Sequence, residues 1–499
     1  MSHSPIGRRT ILAGLAAAPL AAALASAAEP AQAQVNTQAH IVIVGGGTGG
    51  IAMSNRLARG LRGARITLID ASERHDYKPG FPMVGGGVWS VDRVLMEPTS
   101  HYLPRGINWV KDYVAEFDPT ANTVVTRGGQ RIRYDFLVVA TGLQMNWGAI
   151  QGMDVAALGQ NGLTSVYAGA QASADTWKLM DTLRRTGGRL VTSVPQTPIR
   201  CGGAPVIMAY LFEDQARSAG TRDRVDIHFY TALGTLLGQP DFNRDIQRRF
   251  GERDIGFSFR QRLTGIDIGA RRATFTAVPE GGGARPAAAG TPAAAAGTPA
   301  AAAGTPAAAA GTPAAAAGTP AAAAGTPAAA AGTPAAAAGA QTTTVDYEFI
   351  HVVPPMSAND SVRNSDLAWK EGPFAGGGWL EVNRETLQHR RFPNVFGIGD
   401  INGTPRGKSA ATIKGSAPIV AHNLIRVIQD QLPDQQFNGY SSCPLVTRVG
   451  SAQLLEIDYD GNLIPSIPFV DPLADSFFAW VMKDRLLKPA YVALLRGRI

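Results

Sequence analysis

Apolar residues in this chain fall mostly in short unbroken runs. The first, Ala39-His-Ile-Val-Ile-Val44, has the continuous pattern of a strand covered on both faces, as parallel strands are. It leads into Gly45-Gly-Gly-Thr-Gly-Gly50 and then the helical pattern Ile51-Ala-Met-Ser-Asn-Arg-Leu-Ala58. A second run, Arg65-Ile-Thr-Leu-Ile-Asp70, ends in an acid. Together they spell a βαβ unit with glycines at 45, 47 and 50, and with Asp70 twenty residues beyond the last of them. Gly45 and Gly47 permit a tight turn and close approach to a pyrophosphate, the helix N-terminus offers N–H groups, and Asp70 can bind a ribose hydroxyl.

FAD and NAD share that unit, and two later strands favour FAD. Asp135-Phe-Leu-Val-Val-Ala-Thr-Gly142 ends in the turn residues Thr141 and Gly142, and Asn394-Val-Phe-Gly-Ile-Gly-Asp400 ends in Gly-Asp. With the first unit, the set resembles the two-dinucleotide-binding-domain flavoprotein superfamily. The resemblance implies that Asp400 binds the ribityl chain of FAD. Where the second dinucleotide unit of that superfamily should begin, Gly188-Arg-Leu-Val-Thr-Ser-Val194 reads as a strand. It continues as Pro195-Gln-Thr-Pro-Ile-Arg-Cys-Gly-Gly-Ala-Pro205, with no glycine cradle. The middle domain is therefore expected to keep the fold without a nicotinamide site.

The fold class that follows is α/β: two Rossmann-like dinucleotide-binding domains plus a C-terminal membrane-interface segment. The expected boundaries are 38–150 and 391–436 for the FAD-binding domain, 151–390 for the second domain, and 437–499 for a quinone and membrane region. Seven Gly-Thr-Pro-Ala-Ala-Ala-Ala units from Gly290 to Ala338 inflate the 45% hydrophobic content without offering a core. A Pro and a Gly in every unit break any helix, so 284–340 reads as a disordered insertion between two strand-like stretches, Ala273–Val278 and Val345–Val352. Residues 1–33 read as a twin-arginine export signal: Arg8-Arg9, an Ala/Leu-rich run, then Ala31-Gln-Ala33. An uncleaved anchor is the competing reading. The net charge of +7 gathers toward the end, where Lys483, Arg485, Lys488, Arg496 and Arg498 face only Asp484. Basic residues are not interleaved with aromatics elsewhere, which argues against nucleic acid. No ligand spacing suggests a metal.

The chain has two cysteines. Each lies among Gly, Pro or hydroxyl residues, consistent either with a structural disulfide or with a reactive pair. Four stretches together resemble sulfide:quinone oxidoreductase, most closely its type II branch: Thr197–Pro205, His351–Met356, Glu385–Asp400 and Gly439–Thr447. The resemblance implies that hydrogen sulfide attacks an oxidised Cys201–Cys443 pair, that Cys443 keeps the persulfide, and that Cys201 passes electrons to FAD and on to quinone. It also implies that Lys408 stabilises reduced flavin, and it leaves the sulfur acceptor unidentified. Arg200 could favour the Cys201 thiolate or be a surface neighbour. Lys408 could equally be a solvated helix lysine.

Phe477, Phe478, Val481 and Met482, then Leu486, Leu487, Tyr491, Val492, Leu494 and Leu495, sit at helical spacing with basic residues between them. Such a segment suits peripheral contact with a membrane and its quinone, or plain packing against the body or a second subunit. The expected location is periplasmic, on the inner membrane. Three competitors remain: the flavin subunit of a flavocytochrome c sulfide dehydrogenase, an NADH:quinone oxidoreductase, and a non-catalytic FAD-binding protein whose two cysteines form a staple.

Overall fold

The computed structural model describes residues 34–280, 341–467 and 470–499. The expected signal, 1–33, and the insertion, 284–340, lie outside them. The apolar runs become two five-stranded parallel sheets. In the first, Val395–Gly397, Phe136–Val139, His40–Val44, Arg65–Ile69 and Asn108–Val110 lie side by side in that order. His40–Val44 is buried along its whole length, as its unbroken apolar pattern requires.

The second sheet runs Leu163–Thr164, Phe349–Val352, Gly188–Val194, Val225–Thr231 and Ile255–Ser258, again parallel. Each sheet puts its first βα turn at the carboxyl end of a central strand, where α/β folds bind ligands. In the first sheet that turn is Gly45–Gly47, before the helix Thr48–Gly60. In the second it is the Pro195–Gly203 loop, before the helix Ala204–Ser218. A hairpin of Ser441–Arg448 and Ser451–Ile457 lies against this second helix and sets Cys443 opposite Leu455.

The structure divides one stretch that the sequence pattern joins. Thr342–Asp346 pairs antiparallel with Arg272–Ala277, whereas Phe349–Val352 enters the parallel sheet beside Gly188–Val194. The chain changes sheets at Tyr347-Glu348, whose N–H groups donate to Arg271 O and Arg189 O respectively. Both halves alternate or run apolar, so periodicity alone could not reveal the break.

The tail forms the helix Phe477–Val481, a π-helical turn Met482–Leu486 and the helix Leu487–Leu495. It packs on the body. Tyr491, Leu494, Leu495 and also Lys483 are buried, and Phe477 is 71% exposed. Basic residues do not all face outward: Lys488 Nζ donates to Arg93 O, and Lys483 Nζ to Pro79 O. Among the described residues, no helix is long and apolar enough to cross a membrane.

Because Ala277 N–H donates to Gln341 O and Thr276 pairs with Thr342, the segment between them leaves and re-enters the fold at one point. Replacing 281–340 with a short Gly-Ser turn shortens the loop by roughly three halvings, and each halving relieves about 0.6 kcal/mol of closure entropy. The shortened protein is expected to be about 2 kcal/mol more stable in urea unfolding, with the same spectrum as the full chain; loss of the fold would show that the segment is structural.

Candidate functional site

Cys201 stands in the turn that starts the second sheet's central helix, and Cys443 stands on the hairpin. Their sulfurs are 4.0 Å apart and both are free thiols. Cys201 has φ +54°, the left-handed region that a non-glycine residue occupies only when its surroundings impose it. Those surroundings are identifiable. Cys201 N–H donates to Lys408 O at 2.8 Å, and Ala204 N–H donates back to Cys201 O at 2.9 Å. On the near side, Arg200 N–H donates to Met356 Sδ at 3.3 Å and Met356 N–H to Thr197 Oγ1 at 2.9 Å.

Gly203 makes room for the second sulfur. A Cβ there would come 2.8 Å from Cys443 Sγ. The hairpin is held from its other edge by Ser441 Oγ, 3.0 Å from Ser409 Oγ. Lys408 and Ser409 therefore fasten both cysteine segments, one through the main chain and one through a hydroxyl.

The pair is electrostatically asymmetric. Cys201 is lowered to about 7, first by the hydrogen bond from the Cys443 thiol, then by Lys483, Arg200 and the Ala204 N–H, against the opposing pull of burial. Cys443 is raised well above its usual value, because it donates that hydrogen bond and is buried beside the Cys201 charge. Negative charge on the reduced pair accordingly sits on Cys201, at a helix N-terminus. Arg200 contributes to this field, so it is more than a surface neighbour. Lys483 contributes more, and the tail's spacing marks it only as one of several basic residues between apolar positions. Tyr167, buried, directs its hydroxyl to Cys201 O at 3.4 Å. Neither Lys483 nor Tyr167 stands in a motif, so no local signal could have singled them out.

Lys408 is not a solvated helix lysine. It precedes the helix Ala410–Ile428; its Nζ donates to Asp400 O at 2.6 Å and Asn402 O at 3.3 Å, and lies 3.5 Å from the centre of the Trp379 ring. Burial pushes it down to about 8, with Asp400 opposing.

The first sheet's turn fits a dinucleotide. Gly45 has φ +107°, and a Cβ there would meet Ala140 O at 2.4 Å; a Cβ on Gly50 would strike Gly45 O at 1.7 Å. Gly47 and Gly142, by contrast, face open space. Thr141 Oγ1 is buried without a hydrogen-bond partner, a hydroxyl left over for a ligand. Asp70 gives one carboxylate oxygen to Gly46 N–H and the other to Ser72 N–H, which fixes it at the lip of the turn. Asp400 lies in the short helical turn Gly399–Ile401 at the end of the edge strand. The structure thus places Gly45, Gly47, Gly50, Asp70, Thr141, Gly142 and Asp400 around the carboxyl ends of one sheet, with Lys408 between them and the cysteines. Among the described residues, no three His, Cys, Asp or Glu side chains gather as a metal site would need.

Residues 39–271 match the pyridine nucleotide-disulphide oxidoreductase family model. The mitochondrial sulfide:quinone oxidoreductase of Dictyostelium discoideum is 30% identical over 92% of this chain and 86% of its own. That of Mus musculus is 28% identical over the same shares. The crystal structure of the sulfide:quinone oxidoreductase of Aquifex aeolicus superposes with a TM-score of 0.66 at 21% identity, covering 92% of both chains. With similarity sustained over 92% of its length, the chain belongs to the sulfide:quinone oxidoreductase family of FAD-dependent oxidoreductases.

Proposed function

We propose that this protein oxidises sulfide at the Cys201–Cys443 pair and delivers the electrons to a quinone. The observation that carries this reading is the 4.0 Å approach of two sulfurs from segments 242 residues apart, with a positive field on one of them. A structural staple has no need of that asymmetry. The 4.0 Å thiol pair is the two-electron-reduced form; in the oxidised form the sulfurs close to about 2.05 Å.

Hydrosulfide attacks the oxidised pair at Cys443. A new S–S bond forms there as a persulfide, the Cys201–Cys443 bond breaks, and its electron pair leaves on Cys201. Lys483, Arg200 and the start of the helix Ala204–Ser218 make Cys201 the better leaving group, because they stabilise its thiolate. A nucleophilic sulfur acceptor, of unassigned identity, then takes the outer sulfur and leaves Cys443 reduced. FAD, when bound, would supply the two-electron acceptor that lets the Cys201 and Cys443 thiols re-form their S–S bond with loss of two protons, and would hand the electron pair on to quinone. The Gly45–Gly50 turn, Asp70, Thr141, Gly142 and Asp400 are the residues that would hold it. Lys408, fixed on two main-chain carbonyls, would set a cation beside it.

The absence of a glycine cradle in the Pro195–Gly203 turn weighs against NADH as donor: Cys201 stands where a pyrophosphate would need bare backbone. The exposed Phe477 side of the tail is the part we assign to peripheral contact with an inner membrane, reached from the periplasm. The domain limits 38–150 with 391–436, 151–390 and 437–499 remain our division of the chain.

The decisive experiment follows flavin absorbance and short-chain quinone reduction with sulfide, with NADH, and with cytochrome c as the alternative acceptor. Sulfide is expected to bleach the flavin and drive quinone reduction, and Cys201→Ser or Cys443→Ser should lower that rate at least a thousandfold. Wild-type rates in either variant would refute the catalytic roles of the two cysteines, and faster transfer to cytochrome c would point to the flavocytochrome alternative.

The charge asymmetry has its own test. In the reduced protein, alkylation of Cys201 by iodoacetamide should rise with pH through a midpoint near 7, since the thiolate is the nucleophile and is lost as pH falls below that value. Lys483→Met should move the midpoint upward and slow alkylation at pH 7 by about tenfold. An unchanged profile, read by peptide mass spectrometry, would show that Lys483 does not act on the sulfur.

A further inference from the structure

A chain of hydrogen-bonded side chains joins the last helix to the glycine turn. Tyr491 OH lies 2.8 Å from Thr48 Oγ1 and 2.8 Å from His75 Nε2. Tyr491 and His75 are each 6% exposed. The Tyr491 ring meets Tyr77 edge-on at 5.0 Å and stacks on His75 at 5.8 Å, so its hydroxyl has little freedom to turn elsewhere. Thr48 opens the helix Thr48–Gly60 and carries the only hydroxyl in Gly45–Gly50. Farther along the same helix, Asn55 Nδ2 donates to Leu495 O at 3.0 Å and Arg59 Nη1 to Arg496 O at 2.9 Å, so the tail is fastened along its length.

Counting protons sets the direction of this chain. His75 is neutral at pH 7: burial, with Lys78 adding to it and Asp76 opposing, pushes it down to about 4. A neutral imidazole donates through one nitrogen and accepts through the other. Suppose Nε2 accepts. Tyr491 then gives its one proton to His75, Thr48 must give its own to Tyr491, and only lone pairs remain toward the turn. Suppose instead that Nε2–H donates. Tyr491 then donates to Thr48, and the Thr48 proton is free for an acceptor at the helix N-terminus. A phosphate oxygen only accepts, so the second arrangement binds it and the first repels it.

We propose that His75, Tyr491 and Thr48 form a donor relay, from imidazole N–H through the phenol to the threonine hydroxyl, that presents a proton to the FAD pyrophosphate. Tyr491 and His75 are positioning residues in this relay, acting through Thr48. The proposal rests on FAD occupying the Gly45–Gly50 turn. By linkage, cofactor binding and docking of the last helix reinforce each other.

The test strips FAD from the full-length protein and titrates it back by flavin fluorescence; the Tm of the apoprotein separates loss of fold from loss of binding. Tyr491→Phe and Thr48→Val are each expected to weaken FAD binding five- to tenfold, and the double variant no more than either alone, because both break one relay. Wild-type affinity in Tyr491→Phe, or effects that multiply in the double variant, would overturn the relay. Should Tyr491→Phe not fold, His75→Phe with Thr48→Val runs the same cycle with the same two outcomes. A wild-type protein that takes up no FAD would overturn the cofactor assignment itself, and the relay with it.

Discussion

The hydrogen bond from Cys201 N–H to Lys408 O is the contact on which the site's geometry turns. It joins a loop of the second sheet's domain to the loop that follows Asp400 in the first. It holds Cys201 in a left-handed conformation that costs about 1–3 kcal/mol if nothing enforces it. With Ser409 fastening the Cys443 hairpin one residue later, a single short segment ties both cysteine segments to the loop that follows Asp400. A shift of that segment would move both sulfurs together, and so leave their separation intact while altering their distance to the cofactor.

Two lysines near the sulfur pair are held by main-chain carbonyls. Lys408 gives its protons to carbonyls and its charge to the Trp379 ring. Lys483, 5% exposed, is anchored on Pro79 O and lies in a π-helical turn, a geometry that widens one turn of a helix. An ammonium withdrawn from water is costly unless anions or dipoles compensate it. The Cys201 thiolate is one such anion, so the tail and the sulfur pair stabilise each other electrostatically.

Much of this was legible in the sequence, and the legible part is the local part. The glycine turn, Asp70, the Thr141-Gly142 turn and the Gly399-Asp400 turn announce themselves because a close backbone approach or a bare helix N-terminus allows few residue types. The replacement of the second cradle by a proline- and cysteine-containing loop was equally plain. The sequence could not show which side of the tail meets the body. Lys483 and Tyr491 have the same spacing as their neighbours, and only tertiary packing turns one toward the cysteines and the other toward Thr48. The split at Tyr347-Glu348 escaped for a related reason: a largely exposed antiparallel strand and a fully buried parallel strand followed one another without a glycine or proline between them.

The adjoining ends of Ala277 and Gln341 have a genetic consequence. Gly290–Ala338 is a tandem array of seven-residue units, the kind of sequence that gains and loses copies when a polymerase slips, and each copy preserves the reading frame. Since both ends of the loop sit on paired neighbouring strands, one unit more or less changes the closure term by only about 0.1 kcal/mol. Folding stability therefore sets almost no limit on the copy number, because the two sheets and their sulfur pair are built from residues on either side of the array.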